Sequence, residues 1–211
     1  MLNEGNDLGG SAAVHRDYAL GVVLRCAMPG NAFPLHDDNR PALLIAGGIG
    51  ITPLRAMVMA LKASKRNVRM HYAARSQSEA AYAAELAAML GTDFTLHAAD
   101  SGRRLDCTAV LERALPGTVV YVCGPASLID AVQQAARAKG FPCDDVRFER
   151  FQALATADDQ PFDIVIASGG QRIRVAANET ALEALERVGV AVPSSCRAGV
   201  CRTCTELVLD L

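Results

Sequence analysis

The sequence contains no tryptophan, only 5% of its residues are aromatic, and it has no run of about 18 apolar residues, the minimum for a membrane-spanning helix. Residues 1–15 also lack the cationic segment that precedes the apolar part of a secretory leader. The chain carries 21 Lys and Arg against 23 Asp and Glu, so it has no broad basic field for nucleic acid. We therefore expect a cytoplasmic α/β protein of one or two domains that binds neither a membrane nor a nucleic acid.

The seven cysteines are unevenly distributed, and three of them, Cys196, Cys201 and Cys204, lie close together near the end of the sequence. Disulfide frameworks spread their cysteines along a small secreted chain, whereas clustered cysteines in a reducing compartment more often bind metal. The pattern therefore favours a metal site.

The spacing of this cluster is C-x4-C-x2-C, the plant-type arrangement of a [2Fe–2S] site. Gly199 lets the backbone fold around the cluster without a side chain in the way. A zinc knuckle or three unliganded thiols are the alternatives, but zinc sites usually pair C-x2-C units or include His, and no His follows Cys204. We expect a [2Fe–2S] cluster whose fourth cysteine ligand is absent from this chain.

From Pro41 onward, short apolar runs alternate with amphipathic segments, which is typical of βαβ units and a parallel sheet. Five runs are predicted to be strands: 42–46, 68–74, 94–99, 119–123 and 146–148. Helices are predicted to begin near Pro53, Ser78, Thr108 and Pro125. The pattern predicts an α/β fold with a five-stranded, doubly wound parallel sheet.

The residues on either side of this block differ from it. Residues 1–40 are rich in Gly, Asn and Asp and contain one predicted strand at 21–27. They resemble the end of a larger domain. Residues 152–161 are predicted to be a linker. Beyond them, apolar alternation around Gly169-Gly170 predicts a hairpin over 162–176, followed by a helix over 179–187. The predicted domains are therefore 1–40, 41–151 and 162–211.

The first predicted strand runs directly into a glycine-rich turn. The residues that we expect to bind a cofactor there are Gly47, Gly48, Gly50, Ile51 and Pro53. Glycines let backbone N–H groups approach a pyrophosphate closely, and the start of the following helix adds a partial positive charge. The alternative is a turn whose glycines only allow tight packing of strand against helix, and the spacing is not G-x-G-x-x-G.

A second glycine turn, Cys123-Gly124-Pro125, follows the fourth predicted strand at the same edge of the sheet. Two such turns at one edge predict a ligand crevice, although Cys123 could instead be a small buried side chain at the start of a helix. Arg75 and Ser76, after the second strand, could hold a ribose or a phosphate, or form a solvated turn.

The segments GGIGITP, HYAARS, YVCGP and RFERF occur in this order and resemble the nucleotide domain of the ferredoxin reductase superfamily over residues 41–151. The resemblance implies NADH or NADPH and a flavin that accepts its hydride. It also implies that Thr52 lies near the nicotinamide, that Cys123 lies beside the hydride-transfer carbon, and that Phe151 packs beside the flavin. Alternatively, the Phe151 side chain only packs in the core or fixes the linker that follows.

The nucleotide domain precedes the cysteine cluster, and this order resembles the phthalate dioxygenase reductase family, which includes vanillate demethylase reductases and uses FMN. In that family, segments matching Gly10, Ser11 and His15 lie near the FMN phosphate, at the end of a flavin-binding β-barrel whose earlier strands are absent here. The cysteine segment resembles a partial β-grasp ferredoxin domain. The resemblance therefore implies a chain truncated at both ends.

The function implied by this resemblance is electron transfer from NADH through FMN and a [2Fe–2S] cluster to a Rieske-type terminal oxygenase or O-demethylase. The alternative is a non-catalytic nucleotide-binding fragment of such a reductase, without a complete flavin or cluster site. We expect the chain to be a monomer.

Overall fold

The computed structural model describes residues 10–25, 30–151 and 159–194. The chain divides into two units, Met1–Asn31 and Ala32–Leu211, which are described separately below.

The five predicted apolar runs form one sheet. Its strands are β1 (Ala42–Gly47), β2 (Val68–Ala74), β3 (Phe94–Ala98), β4 (Val119–Cys123) and β5 (Val146–Glu149). Their order is β3-β2-β1-β4-β5, and every neighbouring pair is parallel. All residues of β1 and β4 are buried, as expected for central strands that are covered on both faces.

Four helices connect these strands and cover both faces of the sheet: α2 (Ile51–Ala63), α3 (Ala83–Leu90), α4 (Cys107–Glu112) and α5 (Ala126–Ala138). Side chains alternate along a strand, so Leu44 packs with α2 and α3, whereas Leu43 and Ile45 pack with α4 and α5. The predicted doubly wound sheet is therefore confirmed.

One helix begins later than predicted, since α3 starts at Ala83 and not near Ser78. The Ser76 hydroxyl accepts a hydrogen bond from the Glu79 N–H at 3.2 Å, as an N-cap residue would, but a helix does not follow directly because residue 82 has a left-handed backbone. Tyr82 then adopts a left-handed backbone with φ of 61° just before the helix, which ends the irregular segment.

The residues after the sheet form a small hairpin and a helix, as predicted. Strands β6 (Phe162–Val165) and β7 (Arg172–Val175) pair antiparallel, with Phe162 opposite Val175. Helix α6 (Ala181–Arg187) begins with a capping box in which Thr180 and Glu183 each accept a hydrogen bond from the other's backbone N–H. In the part of this module that the structure describes, the buried hydrophobic residues are Ile173, Val175 and Ala184.

The first unit contains helix α1 (Gly10–Asp17), which the sequence did not predict. Of the strand predicted at 21–27, residues 21–25 form no strand, and residues 26–27 lie outside the described part of the chain. A strand needs a hydrogen-bonded partner, and an isolated apolar run does not reveal whether one is present. Among the described helices, none has both the length and the apolarity that crossing a bilayer requires.

Candidate functional site

Two glycine turns meet at the carboxyl edge of the sheet, where β1 and β4 lie side by side. The chain passes from β1 to β2 and β3 on one side, and then returns to β4 on the other side of β1. This is the topological switch point at which open α/β sheets bind their ligands. The two predicted turns therefore lie together at the place where the fold favours ligand binding.

The two turns are packed backbone against backbone. A Cβ added at Gly50 would lie 2.1 Å from the Cys123 carbonyl oxygen, and one added at Gly124 would lie 2.9 Å from the Gly47 Cα. A Cβ at Gly47 would meet the Pro125 ring at 2.8 Å. Three of the predicted cofactor-binding glycines thus have a packing role, as the alternative interpretation of this turn proposed.

Gly48 differs from these three glycines. It is exposed, its φ is 53°, and a Cβ added there would have no heavy atom within 4 Å. The hydroxyl of buried Tyr72, on β2, donates to the Gly48 carbonyl at 3.3 Å, a contact that sequence reasoning missed. Of the glycines in the first turn, Gly48 is therefore the one whose missing side chain leaves room for a ligand.

Helix α2 begins directly behind this turn, and Gly50 at its N-cap provides no side-chain cap. Thr52 is exposed, and its hydroxyl donates to the Ile49 carbonyl at 2.9 Å. Because that donor is used, the Thr52 oxygen can still accept a hydrogen bond from a ligand. Pro53 lies in the first turn of the helix, where its missing N–H leaves no helical hydrogen bond unmade.

Cys123 ends β4 and its side chain is fully buried. Burial, reinforced by the Glu149 carboxyl group, raises the pKa of the Cys123 thiol to about 12. The thiol is therefore neutral and suited to van der Waals contact, but not to nucleophilic attack. Glu149 lies opposite Cys123 on β5, and burial raises its own pKa; sequence reasoning did not identify this residue.

The segment after β5 carries exposed aromatic residues beside a fixed arginine. Phe151 and Phe148 are both exposed, and the Arg150 guanidinium lies 5.3 Å from the centre of the Phe148 ring. Arg150 is held by an ion pair with Asp130 at 2.7 Å. The predicted flavin neighbour, Phe151, is thus accessible to a planar ligand.

On the other side of the crevice, the ends of β2 and β3 are joined by a backbone hydrogen bond. The Asp100 N–H donates to the Arg75 carbonyl at 3.0 Å, and Arg75 and Asp100 are both exposed. The Ser76 hydroxyl lies 3.0 Å from that of Ser78. Asp100 is a further candidate that sequence reasoning missed, because only the strand order brings it beside Arg75.

The remaining predicted site residues lie elsewhere. Gly10, Ser11 and His15 belong to helix α1, and His15 is exposed. Cys196, Cys201 and Cys204 lie outside the described residues. Within residues 10–25, 30–151 and 159–194, no cluster of three or more His, Cys, Asp or Glu side chains could hold a metal ion.

Comparison with known families gives two matches along the chain. Residues 31–146 match the family described as dimethylamine monooxygenase subunit DmmA-like, N-terminal domain. Residues 164–210 match the 2Fe-2S iron-sulfur cluster binding domain. The second match includes all three clustered cysteines.

Two curated relatives extend the likeness over most of the chain. The heme-dependent oxidative N-demethylase beta subunit of Ectopseudomonas mendocina is 43% identical over 93% of this chain, which spans 62% of that protein. The vanillate O-demethylase oxidoreductase of Pseudomonas sp. (strain HR199) is 35% identical over the whole chain, which spans 68% of that protein. The chain therefore spans about two thirds of the length of these relatives.

Solved structures share the fold as well. Phthalate dioxygenase reductase, described as a modular structure for electron transfer from pyridine nucleotides to [2Fe-2S], matches with a TM-score of 0.60 and 34% identity, over 82% of this chain and 55% of that one. An intact type IV self-sufficient cytochrome P450 monooxygenase matches with a TM-score of 0.72 and 34% identity, over 94% of this chain and 26% of that one.

Proposed function

The chain belongs to the family that includes phthalate dioxygenase reductase and the vanillate O-demethylase oxidoreductases, and from this premise we propose that it transfers electrons from NADH to an oxygenase. The electrons pass through FMN and a [2Fe–2S] cluster, and the acceptor is a Rieske-type terminal oxygenase or O-demethylase. The observation that carries the proposal is the pair of interlocked glycine turns at the topological switch point of the sheet, in the same chain as an iron–sulfur domain match.

The first turn is suited to the coenzyme's pyrophosphate. Gly48 leaves open space at the turn, and helix α2 starts directly behind it with its positive dipole end facing the same edge. From there the nicotinamide half extends toward Thr52 and Cys123. In our proposal the Thr52 oxygen accepts a carboxamide N–H, and the ring lies over the end of β4, where the neutral Cys123 side chain is buried beneath it.

The adenosine half extends in the other direction, over the ends of β2 and β3. Asp100 lies there, and a carboxylate accepts hydrogen bonds from ribose hydroxyls while repelling a 2′-phosphate. Arg75 would favour that phosphate, so the two side chains have opposite effects. We propose that Asp100 prevails and that NADH is the coenzyme.

FMN, when bound, converts a two-electron hydride donor into a source of single electrons. In our proposal, Gly10, Ser11 and His15 contact its phosphate and Phe151 packs beside its ring. The thiolates of Cys196, Cys201 and Cys204 hold the cluster. The domain boundaries at 1–40, 41–151 and 162–211, with a linker at 152–161, stay a prediction.

The central test is spectroscopic. The protein is reconstituted anaerobically with FMN, iron and sulfide, and NADH is then added while the flavin and iron–sulfur absorbance is followed. We expect both chromophores to bleach. NADH binding without bleaching would favour the alternative, a non-catalytic nucleotide-binding fragment, and absence of saturable NADH binding would exclude both functions.

A second test concerns coenzyme choice. Asp100→Asn removes the carboxylate charge but keeps a side chain of the same size. We expect its preference for NADH over NADPH to fall by about tenfold, measured as the ratio of the two dissociation constants. Arg75→Gln is the matched variant, because it removes the charge that would favour NADPH. It should increase the preference for NADH.

The acceptor and the physical state of the protein need separate measurements. Reduced protein is mixed either with a Rieske-type oxygenase or with an oxygenase that uses heme as its cofactor. We expect faster electron transfer to the Rieske centre. Light scattering should give the mass of a monomer. Cell fractionation should recover the protein in the cytoplasm.

A further inference from the structure

A buried tyrosine of β2 reaches the first glycine turn from inside the sheet. Tyr72 lies opposite Ala46, two residues before Gly48, on the face that packs with α2 and α3. Its side chain is 1% exposed, and its hydroxyl donates to the Gly48 carbonyl at 3.3 Å. Burial raises the pKa of this hydroxyl, so it keeps its proton at neutral pH and acts as the donor. A side chain of the core therefore fixes the direction of a carbonyl in the turn.

Two successive carbonyls of this turn are held by donors of the chain itself. The Gly48 carbonyl accepts a second hydrogen bond, from the Ile51 N–H, so both of its lone pairs are used. The Ile49 carbonyl accepts the Thr52 hydroxyl at 2.9 Å. Carbonyl oxygens carry partial negative charge, so a turn binds an anion only when its N–H groups face the anion and its carbonyls do not. The hydrogen bonds of this turn satisfy the second condition.

The direction of the Ile49 N–H follows from that of the Gly48 carbonyl. The two groups belong to one trans peptide, in which the C=O and the N–H point in opposite directions. Because the carbonyl points inward to the buried Tyr72, the Ile49 N–H points outward, and Ile49 is 69% exposed. A Cβ added at Gly48 would meet no heavy atom within 4 Å, so the turn is open there. The turn thus presents a donor to open space and keeps the carbonyl inside.

The backbone of Gly48 would also allow the reverse orientation of this peptide. Gly48 has a φ of 53°, and a glycine at positive φ can adopt more than one range of ψ, which other residues rarely do. In the reverse orientation the carbonyl would face the open space, and its oxygen would repel a phosphate. The Tyr72 hydroxyl stabilises only the orientation in which the N–H faces outward. The buried hydroxyl therefore selects the anion-binding form of the turn.

We propose that Tyr72 is a positioning residue for the pyrophosphate of the pyridine nucleotide. Its hydroxyl holds the peptide between residues 48 and 49 with the N–H toward the pyrophosphate, although the Tyr72 side chain does not touch the ligand. This inference rests on the proposed nucleotide function and adds to the coenzyme site a residue from the core of the sheet.

The test compares two variants of the full chain that each lose one buried hydroxyl. Tyr72→Phe removes the hydroxyl that donates to Gly48. Tyr121→Phe is the matched control, because Tyr121 is fully buried on the same face and its hydroxyl accepts the His36 N–H at 2.6 Å. Dissociation constants are measured for ADP-ribose, which contains the pyrophosphate, and for adenosine, which lacks it. The amide NMR signal of Ile49 is followed during titration with inorganic pyrophosphate.

One hydrogen bond changes the balance between two backbone orientations by roughly fivefold, so Tyr72→Phe should bind ADP-ribose about two- to fivefold more weakly. Its affinity for adenosine should equal that of the unaltered protein. Tyr121→Phe should bind both ligands as the unaltered protein does, although it also loses a buried hydrogen bond. In the unaltered protein, pyrophosphate should move the Ile49 amide proton downfield, as a new hydrogen bond does, and this shift should be smaller in Tyr72→Phe.

Unchanged ADP-ribose binding in Tyr72→Phe would overturn the inference while leaving the nucleotide site intact. Equal weakening of ADP-ribose and adenosine, or equal losses in the two variants, would also overturn it, because a general loss of structure would then explain the result. In the unaltered protein, an Ile49 amide that does not move while neighbouring amides of the turn do would overturn it without any variant. Failure of the unaltered protein to bind ADP-ribose would instead overturn the proposed function itself.

Discussion

The sheet and the hairpin module, residues 162–194, differ in how their apolar side chains are buried. Strand β1 is buried along its whole length between two layers of helices, and α2 alone contributes Ile51, Leu54, Val58 and Leu61 at 0% exposure. The described part of the hairpin module buries Ile173, Val175 and Ala184, and it is held on its surface by ion pairs such as Arg187 with Glu179. Small modules with little core usually need a metal or a disulfide for stability. Among the described residues, the sheet thus has a much larger buried apolar core than the hairpin module, and we expect the module to depend on a [2Fe–2S] cluster for its stability.

The largest expected effect comes from removing a buried side chain, and it should destabilise only the region that contains that side chain. Leu54→Ala removes a fully buried side chain from α2 and should lower the free energy of unfolding of the sheet by about 2–5 kcal/mol. Ile173→Ala should unfold the hairpin module alone. Hydrogen exchange measured separately for residues 42–149 and 162–194 checks both statements.

Met59→Ala is the matched control, because Met59 lies on the same helix but is exposed, and it should change the free energy by less than about 0.5 kcal/mol. If Leu54→Ala accelerated exchange in both regions equally, the two would be one cooperative unit and the comparison would be wrong.

The second effect concerns the turns of the sheet domain. Gly50→Ala places a Cβ against the Cys123 carbonyl, so the two turns must separate, which should cost about 1–3 kcal/mol or more. Gly48→Ala meets no neighbour and should cost about 1 kcal/mol through its left-handed backbone alone. Urea unfolding followed by circular dichroism measures both. If the two substitutions lowered the free energy of unfolding equally, the contact between the turns would contribute little to stability.

Acid should affect the sheet before the hairpin module. The pKa of His71 is about 4 in the folded chain and about 6.5 when unfolded, so the unfolded state takes up the proton first, and sheet stability should fall as the pH drops from 6.5 to 4. Arg174 and Arg172 lower the pKa of Asp163, and Arg187 lowers that of Glu179. Stability that depends on these carboxylates is present above their unfolded pKa values and is lost only below about pH 4.5.

Chemical denaturation at pH 7, 5.5 and 4.5 tests this order, with His71→Gln as the variant that should reduce the pH dependence of the sheet between 7 and 4.5. The remainder should come from His97, whose pKa burial also lowers. If the hairpin module lost stability at a higher pH than the sheet, the predicted order would be wrong.

The smallest expected effect is on the cap of α6. Thr180→Ala removes the hydroxyl that accepts the Glu183 N–H, and should cost about 1 kcal/mol within the hairpin module. Thr180→Ser keeps the hydroxyl and should cost little. Exchange of the α6 amides measures the change, and the sheet should melt at its original temperature in both variants.

Most of the sheet could be predicted from the sequence because its strands are apolar runs that begin and end at turn residues. The order β3-β2-β1-β4-β5 is a nonlocal property, and it alone brings Glu149 beside Cys123 and Asp100 beside Arg75. The late start of α3 depends on the left-handed backbone of Tyr82, which does not change the apolar period.

The candidate site shows the same division between local and nonlocal information. Local composition identified both glycine turns and the residues around them. It could not separate Gly48, which faces open space, from Gly47 and Gly50, whose close neighbours belong to a turn far along the chain.

The contact between Gly50 and the Cys123 carbonyl also limits how this protein can diverge. A Cβ at position 50 would meet backbone atoms of Cys123 and Gly124, so no change of residue type in the second turn can make room for it. Any replacement of Gly50 in the course of evolution therefore requires a shifted backbone at residues 123–124, a change that a single codon cannot supply.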